Sequence, residues 1–333
     1  MTREHEMSRD SGISVGFIGL GAMGAHMAAN LLKAGFNLVV NDIRREAGAS
    51  HVAAGAIWAE TPRELAEQCQ VIFTCLPGIP QIETVVFGDN GLLEGIGEGA
   101  ALFETSTNSP EMVQKLASAF AQRGAYMLDA PVSGGALGAE RGRLAAWVGG
   151  DKAIFDKFEY VLRAVADRPL HVGEVGSGLV TKLVNNCASQ TLYPLFGEIM
   201  ALGVKAGADP LSLWEAIRQG ALGRRRTFDG LGDEYLVAQF EPARAAMRIM
   251  YKDMSLATDL ARKLGVPMRF ANLALSEYTE AMNRGWAERD GRAVMLLAQE
   301  RVGIGFSVSP EDVKKVFERD PPAPSDSKHG TGN

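Results

Sequence analysis

Val15-Gly16-Phe17-Ile18-Gly19-Leu20-Gly21-Ala22-Met23-Gly24 is the stretch on which the reading of the whole chain turns. A short apolar run, Val15–Ile18, leads into glycines at 19, 21 and 24, and an apolar helical pattern, Met27–Leu32, follows and ends near Gly35. The glycine spacing alone is common; a strand before it and a helix after it make it specific. In that setting the first glycine permits a tight turn and the second lets a pyrophosphate approach the backbone. The third allows the helix to pack closely on the strand, and the amides at the helix start favour an anion. Gly19, Leu20, Gly21, Ala22, Met23 and Gly24 are therefore candidate nucleotide contacts; the alternative is a tight turn with no ligand.

The next apolar run, Leu38–Asn41, ends at Asp42, about where such a fingerprint places the acid that hydrogen-bonds the adenosine ribose. Asn41 and Asp42 join the candidate contacts and favour NAD. Arg44 and Arg45 follow at once; they suit the 2′-phosphate of NADP or, equally, a solvated helix start.

Further along, strand-like and helical patterns alternate. The apolar runs are Val15–Gly19, Asn37–Asn41, Val71–Leu76, Ala101–Thr105, Ala125–Ala130, Leu144–Gly149 and Pro169–Gly173. Alternation of this kind predicts a largely parallel sheet covered by helices on both faces, an α/β doubly wound, Rossmann-type fold. Thr61-Pro62-Arg63-Glu64 reads as a capping box with proline at the first helical position, Ser109-Pro110 repeats the device, and Gly124 is placed to stop the second of these helices. After Gly178 the texture becomes helical to about Phe317, beginning with a long helix from about Leu179 to Ala206. The expected organisation is a flexible start at 1–12, a dinucleotide-binding domain at 13–176 and an all-helical substrate and oligomerisation domain at 177–319. The long helix bridges them, and a proline-rich, disordered tail occupies 320–333.

Composition narrows the function classes. With 46% hydrophobic and 22% charged residues, the 333-residue chain can bury a core without disulfides or metals. A net charge of −6 argues against a nucleic-acid partner, which requires a concentrated basic surface. Cys69, Cys75 and Cys187 form no paired motif and read as buried thiols of a reducing compartment. The polar start, with both charge signs and no apolar core, and the lack of a membrane-length apolar run lead to an expectation of a cytoplasmic protein with no membrane partner. His5, His26, His51, His171 and His329 show no ligand spacing, so no metal is expected.

Four segments in order, Gly16–Gly24, Asp129–Gly135, Gly173–Asn186 and Lys252–Ala257, together resemble the β-hydroxyacid dehydrogenase family over about residues 14–305. That family includes 3-hydroxyisobutyrate dehydrogenases and tartronate semialdehyde and glyoxylate reductases. The resemblance implies hydride transfer between a nicotinamide and a small β-hydroxyacid or semialdehyde. Lys182 then falls in the family's catalytic segment, with Asn186 one turn further along the same helix face. A carbonyl receiving hydride builds up alkoxide charge, so the Lys182 ammonium would donate a proton and the Asn186 amide would orient the substrate. In the reverse direction Lys182 starts neutral, which burial in a closed cleft assists. Ser133, Gly134 and Gly135 offer a hydroxyl and two unobstructed N–H groups at a strand end, and the resemblance gives them the substrate carboxylate. It likewise places Leu76, Pro77 and Thr107 at the nicotinamide half and closes Lys252 on it. Gln81 stands where relatives often carry asparagine.

Other departures concern the substrate. Arg141 and Arg143 replace small or neutral residues of the family, and Arg224, Arg225 and Arg226 lie near a pocket-lining position of relatives. They suggest a small carboxylate substrate with a second polar or anionic end, or they are solvated or at a subunit contact. Rival readings are an imine reductase of the same architecture, 6-phosphogluconate dehydrogenase and a catalytically silent nucleotide-binding module. Lys182 speaks against the first and third, and Asn185 and the chain length against the second. A homodimer or homotetramer is expected, because such a helical domain exposes more apolar surface than one protomer covers.

Overall fold

The computed structural model describes residues 12–220, 223, 229–232 and 234–319. The chain divides into two compact units at Asn185 and Asn186.

The first unit is built on a sheet of nine strands: β1 (Ser14–Ile18), β2 (Asn37–Asn41), β3 (Ile57–Trp58), β4 (Val71–Thr74), β5 (Ala101–Glu104), β6 (Tyr126–Asp129), β7 (Val132–Ser133), β8 (Ala145–Gly149) and β9 (Arg168–Gly173). Strands β3-β2-β1-β4-β5-β6 run parallel in that order. This is the doubly wound order, whose reversal beside β1 leaves a crevice at the carboxyl ends of the strands. Strand β8 is antiparallel to β6 and β7 and parallel to β9. The two-residue strands β3 and β7 were not expected. Each is too short to show an apolar run, and each exists only because a longer neighbour offers it a ladder.

Helices α1 (Gly24–Lys33), α2 (Ala49–Ala53), α3 (Pro62–Gln68), α4 (Ile79–Phe87), α5 (Leu92–Gly95), α6 (Pro110–Ala121), α7 (Gly135–Glu140) and α8 (Lys152–Val165) connect the strands. Strands β4 and β5 are buried on both faces, and Phe73 packs between Phe17 at 6.0 Å and Phe103 at 5.4 Å between ring centroids. The expected caps form. Thr61 Oγ1 accepts from the Glu64 N–H at 3.1 Å and Ser109 Oγ from the Met112 N–H at 3.3 Å, each worth about 1 kcal/mol. The return bond of the box lands one residue early, from the Glu60 N–H to Glu64 Oε2. Gly124 adopts φ +67° just beyond α6, as a stop requires.

Helix α9 (Ser177–Lys205) begins two residues before the expected start and runs through the division between the units. The second unit adds α10 (Pro210–Gln219), α11 (Met247–Lys263), α12 (Arg269–Asn283), α13 (Leu296–Arg301) and α14 (Pro310–Arg319), with no named strand among its described residues. Its core contains Trp214, Tyr235, Met254, Tyr278 and Leu297. A buried guanidinium joins two carboxylates there: Arg292 Nε donates to Asp290 Oδ1 at 2.9 Å, and Arg292 Nη1 pairs with Glu234 Oε2. Arg224, Arg225 and Arg226 lie outside the described residues.

Candidate active site

The glycine-rich loop begins where β1 ends. Gly19 has φ +95°, a left-handed conformation that favours glycine, and a Cβ there would fall 2.3 Å from the Cys75 carbonyl oxygen. A Cβ on Gly24 would fall 1.8 Å from the Gly19 carbonyl oxygen, so α1 can seat itself only on a bare backbone. Gly21 is different: nothing lies within 4 Å of its virtual Cβ, so it faces open space. Helix α1 opens at Met23 with no side-chain cap and no acidic residue in its first turn. An open glycine beside an uncapped ten-residue helix fits a dinucleotide pyrophosphate.

Asp42 braces this loop. Its Oδ2 accepts from the Leu20 N–H at 2.7 Å and its Oδ1 from the Arg44 N–H at 2.9 Å. Asn41 is buried and gives its amide to the Ala59 carbonyl at 2.9 Å, while Ala22 is exposed. The two arginines divide. Arg45 pairs with Glu60 and lies 5.4 Å over the Trp58 ring, whereas Arg44 Nε stands 3.6 Å from Asp42 Oδ1.

Beyond β4 and β5, one carboxylate laces the strand ends. Glu104 is fully buried and accepts from Thr74 Oγ1 at 2.7 Å and the Ser106 N–H at 2.7 Å. Ser106 Oγ in turn accepts from the Leu76 N–H at 2.8 Å. Burial pushes the Glu104 carboxyl up to about 7, against these hydrogen bonds. Pro77, exposed, and Thr107, half-buried, continue the two loops, and Gln81 is exposed in the first turn of α4. Cys75, directly after β4, is a poor nucleophile, because burial drives its thiol up to about 11.

Lys182 lies on α9, where its Nζ donates to the Val132 carbonyl at 2.7 Å. Val132 immediately precedes Ser133 on β7, so the ammonium and the half-buried serine share one strand end. Gly134 and Gly135 follow with φ +137° and +65°, and a Cβ on Gly135 would meet nothing within 4 Å. This turn therefore presents backbone without side chains in the way. Arg141, exposed, and Arg143, half-buried, flank it at the far end of α7.

In the second unit Asn186 Nδ2 donates to Asp253 Oδ2 at 2.8 Å, and Lys252 Nζ stands 3.2 Å from Asp253 Oδ1. Asp253 is only 3% exposed, so the lysine and the amide partly compensate a buried charge.

Three carboxylates, Glu104, Asp129 and Asp253, escaped the sequence reading. A signal was present: each ends an apolar strand run or sits within an apolar helical face, where an acid must find donors. Among the described residues no cluster of three His, Cys, Asp or Glu side chains is placed to hold a metal, and no helix is long and apolar enough to cross a membrane.

Comparison with known proteins finds relatives along most of the chain. The family model for the NAD binding domain of 6-phosphogluconate dehydrogenase matches residues 14–176, and that for the NAD-binding region of NADP-dependent 3-hydroxyisobutyrate dehydrogenase matches residues 176–298. The chain is 33% identical over 298 residues to 2-(hydroxymethyl)glutarate dehydrogenase of Eubacterium barkeri, covering 90% of this chain and 99% of that one. A solved 3-hydroxyisobutyrate dehydrogenase from Salmonella typhimurium superposes with a TM-score of 0.77 at 30% identity, covering 86% of this chain and 99% of that one. An imine reductase from a Pseudomonas species shares the fold, with a TM-score of 0.56 and 19% identity over 85% of this chain and 98% of that one. An open glycine cradle, a lysine beside a serine–glycine strand end and these matches across both units lead to one assignment: the chain belongs to the NAD(P)-dependent β-hydroxyacid dehydrogenase family.

Proposed function

We propose that the protein interconverts a short β-hydroxyacid and its semialdehyde with NAD as the preferred cofactor, Lys182 moving the proton. The observation that carries this is the hydrogen bond from Lys182 Nζ to the Val132 carbonyl at 2.7 Å, which holds the ammonium beside Ser133. Ser133 Oγ and the N–H groups of Gly134 and Gly135 take the substrate carboxylate, which leaves the carbonyl two carbons away within reach of the lysine. In reduction Lys182 donates a proton to the developing alkoxide; in oxidation the neutral amine takes it back. Asn186, turned by Asp253, orients the reacting oxygen. Gly19, Leu20, Gly21, Ala22, Met23 and Gly24 hold the pyrophosphate and Asn41 and Asp42 the adenosine side. Leu76, Pro77, Thr107 and Lys252 hold the nicotinamide end, and the bound dinucleotide supplies the hydride.

NAD over NADP is supported by an acid, Asp42, at the end of β2, which would repel a 2′-phosphate, and by the commitment of Arg45 to Glu60 and Trp58. The substrate carries a second polar or anionic end. The arginines at 141 and 143 support this, and the glutarate named for the Eubacterium barkeri relative has a second carboxylate of that kind. A homodimer or homotetramer is supported by apolar side chains left open on the second unit, with Phe270 at 79% and Leu264 at 69% exposure. Three free cysteines support a reducing, cytoplasmic setting.

The test is nicotinamide absorbance with paired mono- and dicarboxylate semialdehydes and hydroxyacids, on the native protein and Lys182→Ala. Turnover should vanish in the variant while NAD binding survives. Full activity without the lysine would sink the reading, and equal KM values for mono- and dicarboxylates in native and Arg143→Ala enzyme would sink the second anionic end.

A further inference from the structure

We infer that Asp129 is a positioning residue that sets where Lys182 stands relative to the Ser133 strand end. The inference rests on the reading of Lys182 as the proton-transferring group.

Asp129 closes β6, only 1% exposed, and its carboxylate is spent on the start of α9. Oδ1 accepts from the Gly176 N–H and Oδ2 from the Leu179 N–H, both at 2.7 Å. The first amides of a helix have no partner within it, so a buried carboxylate there satisfies donors that burial would otherwise orphan. The helix start can come this close because Gly178 has no side chain. A Cβ there would fall 2.3 Å from the Trp147 carbonyl oxygen and 2.6 Å from the Asp129 carbonyl oxygen.

Those bonds close a ring around the candidate site. From Asp129 the chain runs through Ala130 and Pro131 to Val132, whose carbonyl takes the Lys182 ammonium at 2.7 Å. From Lys182 the helix returns about 4.5 Å along its axis to Leu179, whose N–H is back on Asp129. The carboxylate therefore clamps the element that carries the lysine to the element that carries the serine. Two oxygens are needed for two amides. Asparagine has a single acceptor and would turn an NH2 group on one of the helix N–H groups. Burial also pushes the Asp129 carboxyl up, with the amides of Gly176 and Leu179 opposing it.

The experiment compares Asp129→Asn, Lys182→Ala and the double variant, with kcat counted per cofactor-binding site so that unfolded protein does not enter. A displacement of the lysine by about an ångström corresponds to a loss on the order of 100-fold in kcat, and KM for NAD should stay unchanged. Methylamine is then added to Lys182→Ala and to the double variant. An amine free in solution is not placed by α9, so the rescued rates should be equal with and without Asp129. Native kcat in Asp129→Asn overturns the inference, as does the same fold-loss under amine rescue, which would mean that Asp129 acts on the fold generally. Activity retained in Lys182→Ala strikes the reading of the lysine itself instead. Gly178→Ala displaces the helix start with the carboxylate intact, and it should reproduce the kcat loss even if Asp129→Asn does not fold.

Discussion

Replacing Glu104 with glutamine should make the protein more stable in alkali and leave it nearly unchanged in acid. The carboxyl is buried, and its hydrogen bonds come from two uncharged donors, the Thr74 hydroxyl and the Ser106 N–H. It keeps its proton to about 7 in the fold, against 4.5 for the ordinary group. Between those two values the unfolded chain gives up a proton that the folded one retains, so stability falls as pH rises. This group's contribution is complete below 4.5 and gone once pH has passed about 7. A displacement from 4.5 to about 7, at 1.36 kcal/mol per unit, amounts to about 3 kcal/mol. Glutamine keeps an acceptor for the Ser106 N–H, can give an N–H to the Thr74 oxygen once that hydroxyl rotates, and cannot ionise. Urea unfolding followed by circular dichroism, from pH 4.5 to about pH 8, should show Glu104→Gln gaining about 3 kcal/mol over the native protein across the range. A constant offset at every pH, or a gap that narrows in alkali, would refute the argument that this carboxyl is held neutral.

Two further outcomes follow from the nucleotide loop. Asp42→Asn removes the negative charge that a 2′-phosphate would meet and should raise the kcat/KM ratio of NADP to NAD about tenfold or more; an unchanged ratio would show that Asp42 does not set the preference. Gly24→Ala drives a methyl onto the Gly19 carbonyl and should cost about 1–3 kcal/mol of stability, whereas Gly21→Ala projects into open space and should change stability by no more than about 0.5 kcal/mol while weakening NAD binding. Thermal unfolding with and without NAD separates the two glycines, and equal effects on stability would contradict the geometry.

The glycines also show what a sequence can reveal. Their spacing, the flanking strand and helix, and the caps at Thr61 and Ser109 are local events, and local chemistry is written in neighbouring residues. Lys182 was singled out through a longer motif. Strands β3 and β7 were not, since two residues carry no periodicity. Nor was the antiparallel turn of β8, because an apolar run says nothing of its direction. Asp129 lay in a quoted segment, but its partners are 47 and 50 residues away, and only folding brings them together. Asp253 lay in another quoted segment, and its bond to Asn186 spans 67 residues. Buried acids are where a sequence under-reports: it shows the charge and hides the donors that make the charge tolerable.

The Thr74–Glu104–Ser106–Leu76 chain has a consequence for redesign and for divergence within the family. Because one carboxylate ties the loop after β4 to the loop after β5, neither can be exchanged alone: a transplanted partner would arrive without its acceptor or its donor. The two loops form a single heritable cassette, and libraries aimed at the proposed nicotinamide end should vary them as one piece, with position 104 included.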